Sequence, residues 1–378
     1  MRPLARRLAF AIAVCLIAAL GVTRISAAFR LPEPDGPFPV GTTCITLARL
    51  RTEGAPLGRF YVQIWYPGAP SAERAAYGTD GPGLKRWIYH RIVGANAAPN
   101  VALAAGAERF PVLIYAAGWG GERTDNTVLA EQLASHGFVV AAFDDPEHDV
   151  PPLPSLGAPL AFDSEAAYEA TLRLAHTKLR YEVRRAVQVL DRMTALDGPA
   201  AGGRFSGRLD LDRAGAFGFS FGGAVALAAA RDDRRLKAAM NMDGWIFDAG
   251  RGYKGGVLYL LVSDLEPPPA RADLTSPDLT LRYTSQLNAE DGPEQEAVLH
   301  RGGYELHFAG ADHLDFTDAP LFAPLHRFGH DGVDPHRMSA TLGAYSVAFF
   351  ERALLGKPSP LLRAGTRQDP RLVFSSWP

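Results

Sequence analysis

Ser220 stands in a segment whose residue types suit nucleophilic catalysis. Residues 214–224 read AGAFGFSFGGA, so an apolar, strand-like run leads into Gly-x-Ser-x-Gly and then into small residues typical of a helix. Gly218 and Gly222 allow a sharp turn between a closely packed strand and helix, and that strained turn exposes the serine hydroxyl. We therefore predict that Ser220 is a nucleophile.

A serine hydroxyl needs a histidine base near neutral pH, and the histidine needs a carboxylate that fixes its tautomer. His313 follows the last predicted strand of the sheet, at 304–309, where a fold of this kind places its base. Asp243 and Asp264 each follow an earlier predicted strand. These positions predict His313 as the base and leave both carboxylates open as the acid.

The negatively charged intermediate of such a reaction needs backbone N–H donors. Phe221, directly after the serine, supplies the first donor. A glycine-rich turn, Gly-Trp-Gly-Gly, follows the predicted strand at 110–116, and we predict Trp119 in this turn as the second donor. Its large side chain is also placed to wall the acyl pocket.

The sequence predicts neither a metal nor an organic cofactor. No cysteine pair has metal-ligand spacing, and His326, His330 and His336 stand among Gly and Pro without a paired carboxylate pattern. His148, in the segment DDPEHD, is adequately explained by a loop at a strand end near the pocket.

Strand-like and helix-like patterns alternate along most of the chain, which predicts an α/β fold with a mostly parallel central sheet and helices on both faces. Residues 42–50 and 59–66 predict an antiparallel hairpin at the N-terminal edge. Two excursions, at about 69–108 and 264–303, interrupt the alternation. We expect them to roof the pocket and to determine specificity.

A long helix is predicted at 164–196, with apolar residues near helical spacing. Arg180, Arg184 and Arg185 lie around it. A basic cluster of this kind is typical of a solvated helix face, and we assign it no function.

Composition excludes two broad classes of protein. Of the 378 residues, 47% are hydrophobic and 21% are charged, which argues against intrinsic disorder. The 39 Lys and Arg against 41 Asp and Glu leave no strong field that would attract nucleic acid.

The N-terminus predicts export to the periplasm or the outside of the cell. Three arginines precede an apolar run at 8–22, and small residues follow at 26–28, so residues 1–28 are expected to be a signal peptide or an N-terminal anchor. Cleavage would remove Cys15 and leave Cys44 alone, which excludes an internal disulfide. We expect residues 29–378 to form one domain.

Several of these motifs resemble the platelet-activating-factor acetylhydrolase type (plasma, group VII phospholipase A2) within the α/β-hydrolase superfamily. The similar segments are VQIWYP at 62–67, AGWGGERT at 117–124, GFSFGGA at 218–224, MDGW at 242–245 and ADHLDFTD at 311–318. The resemblance implies that Asp243 is the acid. One departure is Ala117, where the family usually has histidine.

The resemblance implies a serine ester hydrolase acting on short acyl esters, with phospholipid-like substrates and peripheral membrane contact left open. Dienelactone hydrolases and polyester-degrading cutinases share much of the pattern. An acyltransferase would use the same acyl-enzyme, whereas a binding module on an inactive scaffold is disfavoured because all three triad residue types remain in order. The sequence does not determine the oligomeric state.

Overall fold

The computed structural model describes residues 31–51, 56–78, 93–199, 202–254, 257–262, 269–322, 333–363 and 371–377. The strands found in these residues are β1 (Val40–Ala48), β2 (Arg59–Pro67), β3 (Ala98–Pro99), β4 (Phe110–Ala116), β5 (Val139–Phe143), β6 (Leu209–Phe219), β7 (Leu236–Met242), β8 (Val257–Val262), β9 (Tyr304–Phe308) and β10 (Leu372–Ser376). The α-helices are α1 (Thr127–Ser135), α2 (Glu165–Asp197), α3 (Phe221–Asp232), α4 (Leu279–Leu299) and α5 (Pro335–Leu355).

All of these strands join one sheet, in the order β10-β9-β8-β7-β6-β4-β5-β2-β1-β3. The strands from β5 to β9 in that order are parallel to their neighbours, which confirms the predicted mostly parallel sheet. Because the strands are parallel, the ends of β4, β6, β7, β8 and β9 from which their following loops leave lie along one edge of the sheet.

The predicted antiparallel hairpin is confirmed, since β1 pairs with β2 from Val40 opposite Pro67 to Ala48 opposite Arg59. Its position at the very edge was not correct, because the first excursion returns and adds the two-residue strand β3 alongside β1. At the other edge, β10 pairs antiparallel with β9, a strand that the sequence pattern did not predict.

Helices cover both faces of the sheet, as predicted. Strand β4 is buried along its whole length, and its side chains alternate between two cores. Val112 and Ile114 join the core that packs against α2 and α3, whereas Leu113 and Tyr115 join the core that packs against α1 and α5. The sheet is therefore enclosed where it carries the candidate site.

Helix α2 begins one residue after Ser164, whose side chain accepts a hydrogen bond from the Ala167 N–H. The prediction of a solvated basic face on α2 was wrong for one residue. Arg180 and Arg184 are exposed, but Arg185 is fully buried and pairs with Asp149 at 2.9 Å. Its guanidinium lies where α2 packs against the sheet, so helical spacing alone did not reveal its burial.

The two excursions differ in structure. The described part of the first, 69–78 and 93–108, contains β3 and isolated bridges such as Ala76 to Gly94. The second contains the long helix α4, whose first turn is capped by the Asp278 side chain. The predicted N-terminal segment 1–28 lies outside the described residues. Among the helices described, we find none with the length and apolar character needed to span a membrane.

Candidate active site

Ser220 lies at a strained turn between β6 and α3. Its φ is +53° and its ψ is −124°, an unfavourable conformation for a residue with a side chain. Its backbone N–H donates to the Met242 carbonyl at 2.8 Å, and its own carbonyl accepts from the Gly223 N–H at 2.8 Å. These bonds hold the serine against the end of β7.

The two elbow glycines are required by close approach. A Cβ on Gly218 would overlap the backbone of Gly222, and a Cβ on Gly222 would lie 2.7 Å from the Ala117 carbonyl oxygen. The β6–α3 turn therefore packs against the end of β4 more tightly than any side chain at these positions would allow.

Asp243 and His313 are hydrogen-bonded to each other. His313 Nδ1 lies 2.6 Å from Asp243 Oδ2, and the carboxylate side chain is 11% exposed against 47% for the imidazole. A bond at Nδ1 leaves Nε2 as the ring nitrogen available for proton transfer. Asp264, the alternative acid, lies outside the described residues.

Contacts of neighbouring residues place the Ser220 turn close to this pair. The Phe219 ring lies 4.6 Å from the His313 ring, measured between centroids. A Cβ on Gly244, the residue after Asp243, would overlap the Ser220 carbonyl. The turn that carries Ser220 thus packs against the loops that carry Asp243 and His313, and the triad itself stays a prediction.

The turn that follows β4 lies beside Ser220. It is closed by a hydrogen bond from the Gly121 N–H to the Gly118 carbonyl at 2.9 Å. A Cβ on Gly118 would lie 3.4 Å from Ser220 Cβ, so the turn that carries Trp119 lies against the serine. Phe221 is the first residue of α3, and its N–H therefore has no acceptor within the helix. Of the two predicted oxyanion donors, Phe221 directly follows the serine, and Trp119 follows a glycine that contacts it.

The loop after β5 supports this turn. The Asp145 N–H donates to the Gly121 carbonyl at 3.1 Å, and His148 Nε2 lies 3.0 Å from the Gly120 carbonyl. His148 therefore holds a neighbouring loop. Nowhere in the described ranges do three or more His, Cys, Asp or Glu side chains gather in a way that could hold a metal ion. His326 and His330 fall outside those ranges.

Hydrogen bonds of the Asn126 and Asp318 side chains connect the histidine loop to α1 and β4, and the sequence pattern assigned neither residue a role. The Asn126 amide nitrogen donates to the Phe316 carbonyl at 2.5 Å, and its amide oxygen accepts from the Tyr115 hydroxyl at 2.7 Å. The buried Asp318 carboxylate accepts from the Val128 N–H at 3.2 Å, and burial raises the pKa of that carboxyl well above its ordinary value. No local motif signals contacts over 190 residues.

Helix α4 supports the acid loop in a similar way. The Asp291 carboxylate accepts from the Ile246 N–H at 2.5 Å, and the Trp245 indole donates to the Asn288 side chain at 2.5 Å. Burial raises the pKa of Asp291 to about 7. The second excursion therefore positions the loop that carries Asp243.

A group of aromatic side chains adjoins the serine. The Trp119 ring packs edge-on to Phe221 at 4.9 Å, Phe221 lies 5.6 Å from Phe247, and Trp245 lies 6.1 Å from Phe162. Trp119, Phe162 and Trp245 are half-buried, so part of each ring remains accessible. The arrangement offers flat apolar surfaces beside the candidate nucleophile.

Comparison with known proteins gives consistent matches. A family model described as platelet-activating factor acetylhydrolase, isoform II, matches residues 84–150. The platelet-activating factor acetylhydrolase of Bos taurus is 26% identical over 197 residues, which cover 43% of this chain and 43% of that protein. The Cavia porcellus protein of the same name is 24% identical over 251 residues, covering 58% and 56%. The chain spans about half the length of these curated relatives.

A solved structure matches over a larger share of the chain. It is a ferulic acid esterase from Streptomyces cinnamoneus, with a TM-score of 0.64 and 27% sequence identity, covering 91% of this chain and 98% of the other. Together these matches confirm the resemblance to platelet-activating-factor acetylhydrolases and the α/β-hydrolase fold. The names of the relatives, an acetylhydrolase and an esterase, support hydrolysis of an ester.

Proposed function

We propose that this chain, an α/β-hydrolase fold similar to the platelet-activating-factor acetylhydrolases, is a serine ester hydrolase that works through an acyl-enzyme on Ser220. The observation that carries the proposal is the 2.6 Å hydrogen bond between His313 and Asp243, formed beside a serine in a strained turn. This arrangement is the one that general-base activation of a serine requires.

The reaction proceeds in two halves. Ser220 Oγ attacks the ester carbonyl carbon while His313 Nε2 takes the hydroxyl proton, and Asp243 stabilises the imidazolium that results. The Phe221 and Trp119 N–H groups bind the oxyanion. Collapse of this intermediate breaks the bond to the alcohol, which leaves with the proton from His313. Water then attacks the acyl-enzyme by the same route and releases the acid. This chemistry uses no metal or organic cofactor.

We propose short-chain acyl esters as the first substrate class, because the relatives matched by sequence are acetylhydrolases. Esters of bulky aromatic acids are a second candidate. The half-buried rings of Trp119, Phe162 and Trp245 favour it, and so does the structural similarity to a ferulic acid esterase. Comparison of kcat/KM for methyl acetate and methyl ferulate, which release the same alcohol, separates the two.

Labelling with a fluorophosphonate tests the proposed mechanism. We expect a single adduct on Ser220 by peptide mapping, absent from Ser220→Ala, and loss of p-nitrophenyl acetate hydrolysis in that variant with an unchanged circular dichroism spectrum. Folded wild-type protein that takes no label would favour a binding module instead. Hydrolysis that persists in Ser220→Ala would contradict the nucleophile assignment.

We also propose that the protein is exported, with the signal removed near Ala28. The arginine-flanked apolar run at 8–22 supports this proposal. N-terminal sequencing of protein recovered from outside the cytoplasm would begin close to Phe29. A full-length chain recovered from the membrane fraction would indicate the N-terminal anchor instead.

A further inference from the structure

Lys178 is a buried cation directly behind the candidate oxyanion hole. Its side chain on α2 is fully buried, and Nζ donates to the Leu156 carbonyl at 2.8 Å. It forms an ion pair with the equally buried Asp145, and Glu182 one helical turn away lies 3.9 Å from it. Removing both charges of an ion pair from water is unfavourable, so packing alone does not explain a lysine at this position.

The ammonium group contacts the side chains of both proposed oxyanion residues. Nζ lies 4.2 Å from the centroid of the Trp119 ring and 5.8 Å from that of Phe221. At the first distance a cation–π attraction is strong, above all where water is excluded. The Trp119 indole also donates to the Ala158 carbonyl at 3.1 Å and packs against Phe221, so its ring is held from three directions.

The counter-ion of Lys178 is bonded to the same turn. The Asp145 N–H donates to the Gly121 carbonyl and so attaches the Gly118–Gly121 turn to the loop after β5. Asp145 Oδ1 accepts from the Glu147 N–H at 2.9 Å. The ion pair therefore joins the indole of Trp119 on one side to the backbone of its turn on the other.

We propose that Lys178 is a positioning residue for the oxyanion hole, because it holds Trp119 and Phe221 by their rings and the turn through Asp145. The inference rests on the proposed function. Oxyanion donors must lie within about 2.7–3.1 Å of the developing charge, and loss of one such donor in a serine hydrolase costs about 10²–10³ in kcat. On this proposal, fixing the two rings limits the movement of the backbone N–H groups that they adjoin.

The test compares Lys178→Met with Arg180→Met, which removes an exposed cation two positions along the same helix. We expect at least a tenfold fall in both kcat and kcat/KM for p-nitrophenyl acetate in Lys178→Met, with KM changed by less than about twofold, because the lost interaction belongs to the transition state. The Arg180 variant should match wild type.

A tetrahedral inhibitor separates positioning from general destabilisation. Phenylboronic acid forms an anionic adduct with an active serine, and we expect its inhibition constant to rise with the loss in kcat.

Lys178→Met leaves Asp145 buried without its cation, so Lys178→Met/Asp145→Asn restores neutrality. We expect that double variant to melt near wild type yet remain at least tenfold slower. Activity within twofold of wild type in the folded double variant would overturn the proposal.

If the lysine variants do not fold, Trp119→Leu tests the same contact between Lys178 and the Trp119 ring. It keeps the backbone N–H and removes the ring that Lys178 contacts, so kcat should fall at least tenfold. Unchanged kcat with a raised KM would overturn the proposal in favour of a pocket wall. Wild-type turnover and Ser220 labelling report on the proposed function independently of these variants.

Discussion

Asp243 combines a demanding backbone position with a chemical role. Its φ is +57°, a conformation that Asp and Asn adopt more readily than other residues with side chains. Its carboxylate bonds His313 Nδ1 from the same turn. The turn therefore favours Asp or Asn at this position. Of these two, only Asp has the carboxylate that can fix the histidine tautomer.

Replacing Asp243 by Asn separates these two requirements. The backbone conformation is retained, so the melting temperature should change by only a few degrees, whereas an imidazole with the wrong tautomer reduces kcat by about 10⁴ in comparable triads. Steady-state kinetics and thermal melts of Asp243→Asn measure both effects. Asp264→Asn is the matched control and should keep most of its activity; the reverse ranking would make Asp264 the acid.

The sequence was more informative about residues in motifs than about residues in contact. Ser220, Asp243 and His313 follow strands in a recognisable order, and the structure joins two of them by the hydrogen bond between His313 and Asp243. Lys178 carries no such signal. It lies on α2 next to Leu179 and close to Val183. The helical spacing of apolar residues does not show which charged side chain a loop packed against the helix will bury.

At the scale of elements, the histidine loop and α1 form one unit. Asp318, in the loop after β9, accepts the Val128 N–H in the first turn of α1. An unsatisfied buried N–H at a helix start costs about 1–3 kcal/mol. The loop that carries the proposed base is thereby linked to α1 by a hydrogen bond between residues far apart in the sequence.

We expect Asp318→Ala to lower the free energy of unfolding by about 1–3 kcal/mol and to reduce kcat, because the loop carrying His313 loses its attachment. Asp318→Asn keeps one oxygen acceptor and should lie between that variant and wild type. Urea denaturation followed by circular dichroism measures the stability. Equal stability of Asp318→Ala and wild type would contradict a role for the Asp318 carboxylate in holding the loop.

Elements with a strong pattern were predicted to within a few residues, and those without one were missed. Strand β4 matches its predicted bounds and helix α2 lies within one residue of its own, because each has a continuous apolar or helical pattern. Helix α4 contains Pro293 and a run of acidic residues, which favour a loop in a local interpretation. Strand β10 has five residues and depends on pairing with β9 to form at all.

At the scale of the whole molecule, burial raises the pKa of several carboxyl groups toward neutrality. The pKa is raised to about 6 for Asp125 and Asp149, to about 7 for Glu131 and Asp291, and to about 8 for Glu182. Desolvation by burial is the main cause in each case. Since the folded chain holds these protons more tightly than the unfolded chain, stability should fall as pH rises from about 4.5 to about 8.

Glu182→Gln isolates the group with the highest of these values. The amide of the variant cannot ionise. The variant therefore does not undergo the loss of stability that the buried carboxyl group causes in wild type as the pH rises toward about 8. We expect the melting temperatures to be similar at pH 5.5 and the variant to melt at a higher temperature at pH 8.5. Glu169→Gln, at an exposed position on the same helix, is the control. A constant difference in melting temperature between Glu182→Gln and wild type from pH 5.5 to pH 8.5 would contradict the raised pKa of Glu182.

The general architecture followed from the alternation of patterns, because parallel strands and covering helices are an efficient way to bury such a sequence. The order of strands across the sheet could not be predicted in the same way. It depends on crossovers such as the one that places β4 between β5 and β6, which no local segment encodes.

The concentration of the site at one edge of the sheet has a practical consequence for handling the protein. The turn between α3 and β7 lies at the opposite edge and contains the exposed Arg234. A cysteine introduced there, with the exposed Cys44 replaced by serine, would attach the molecule to a solid support with its serine facing the solution. Immobilisation through that turn would then preserve access for large or insoluble esters.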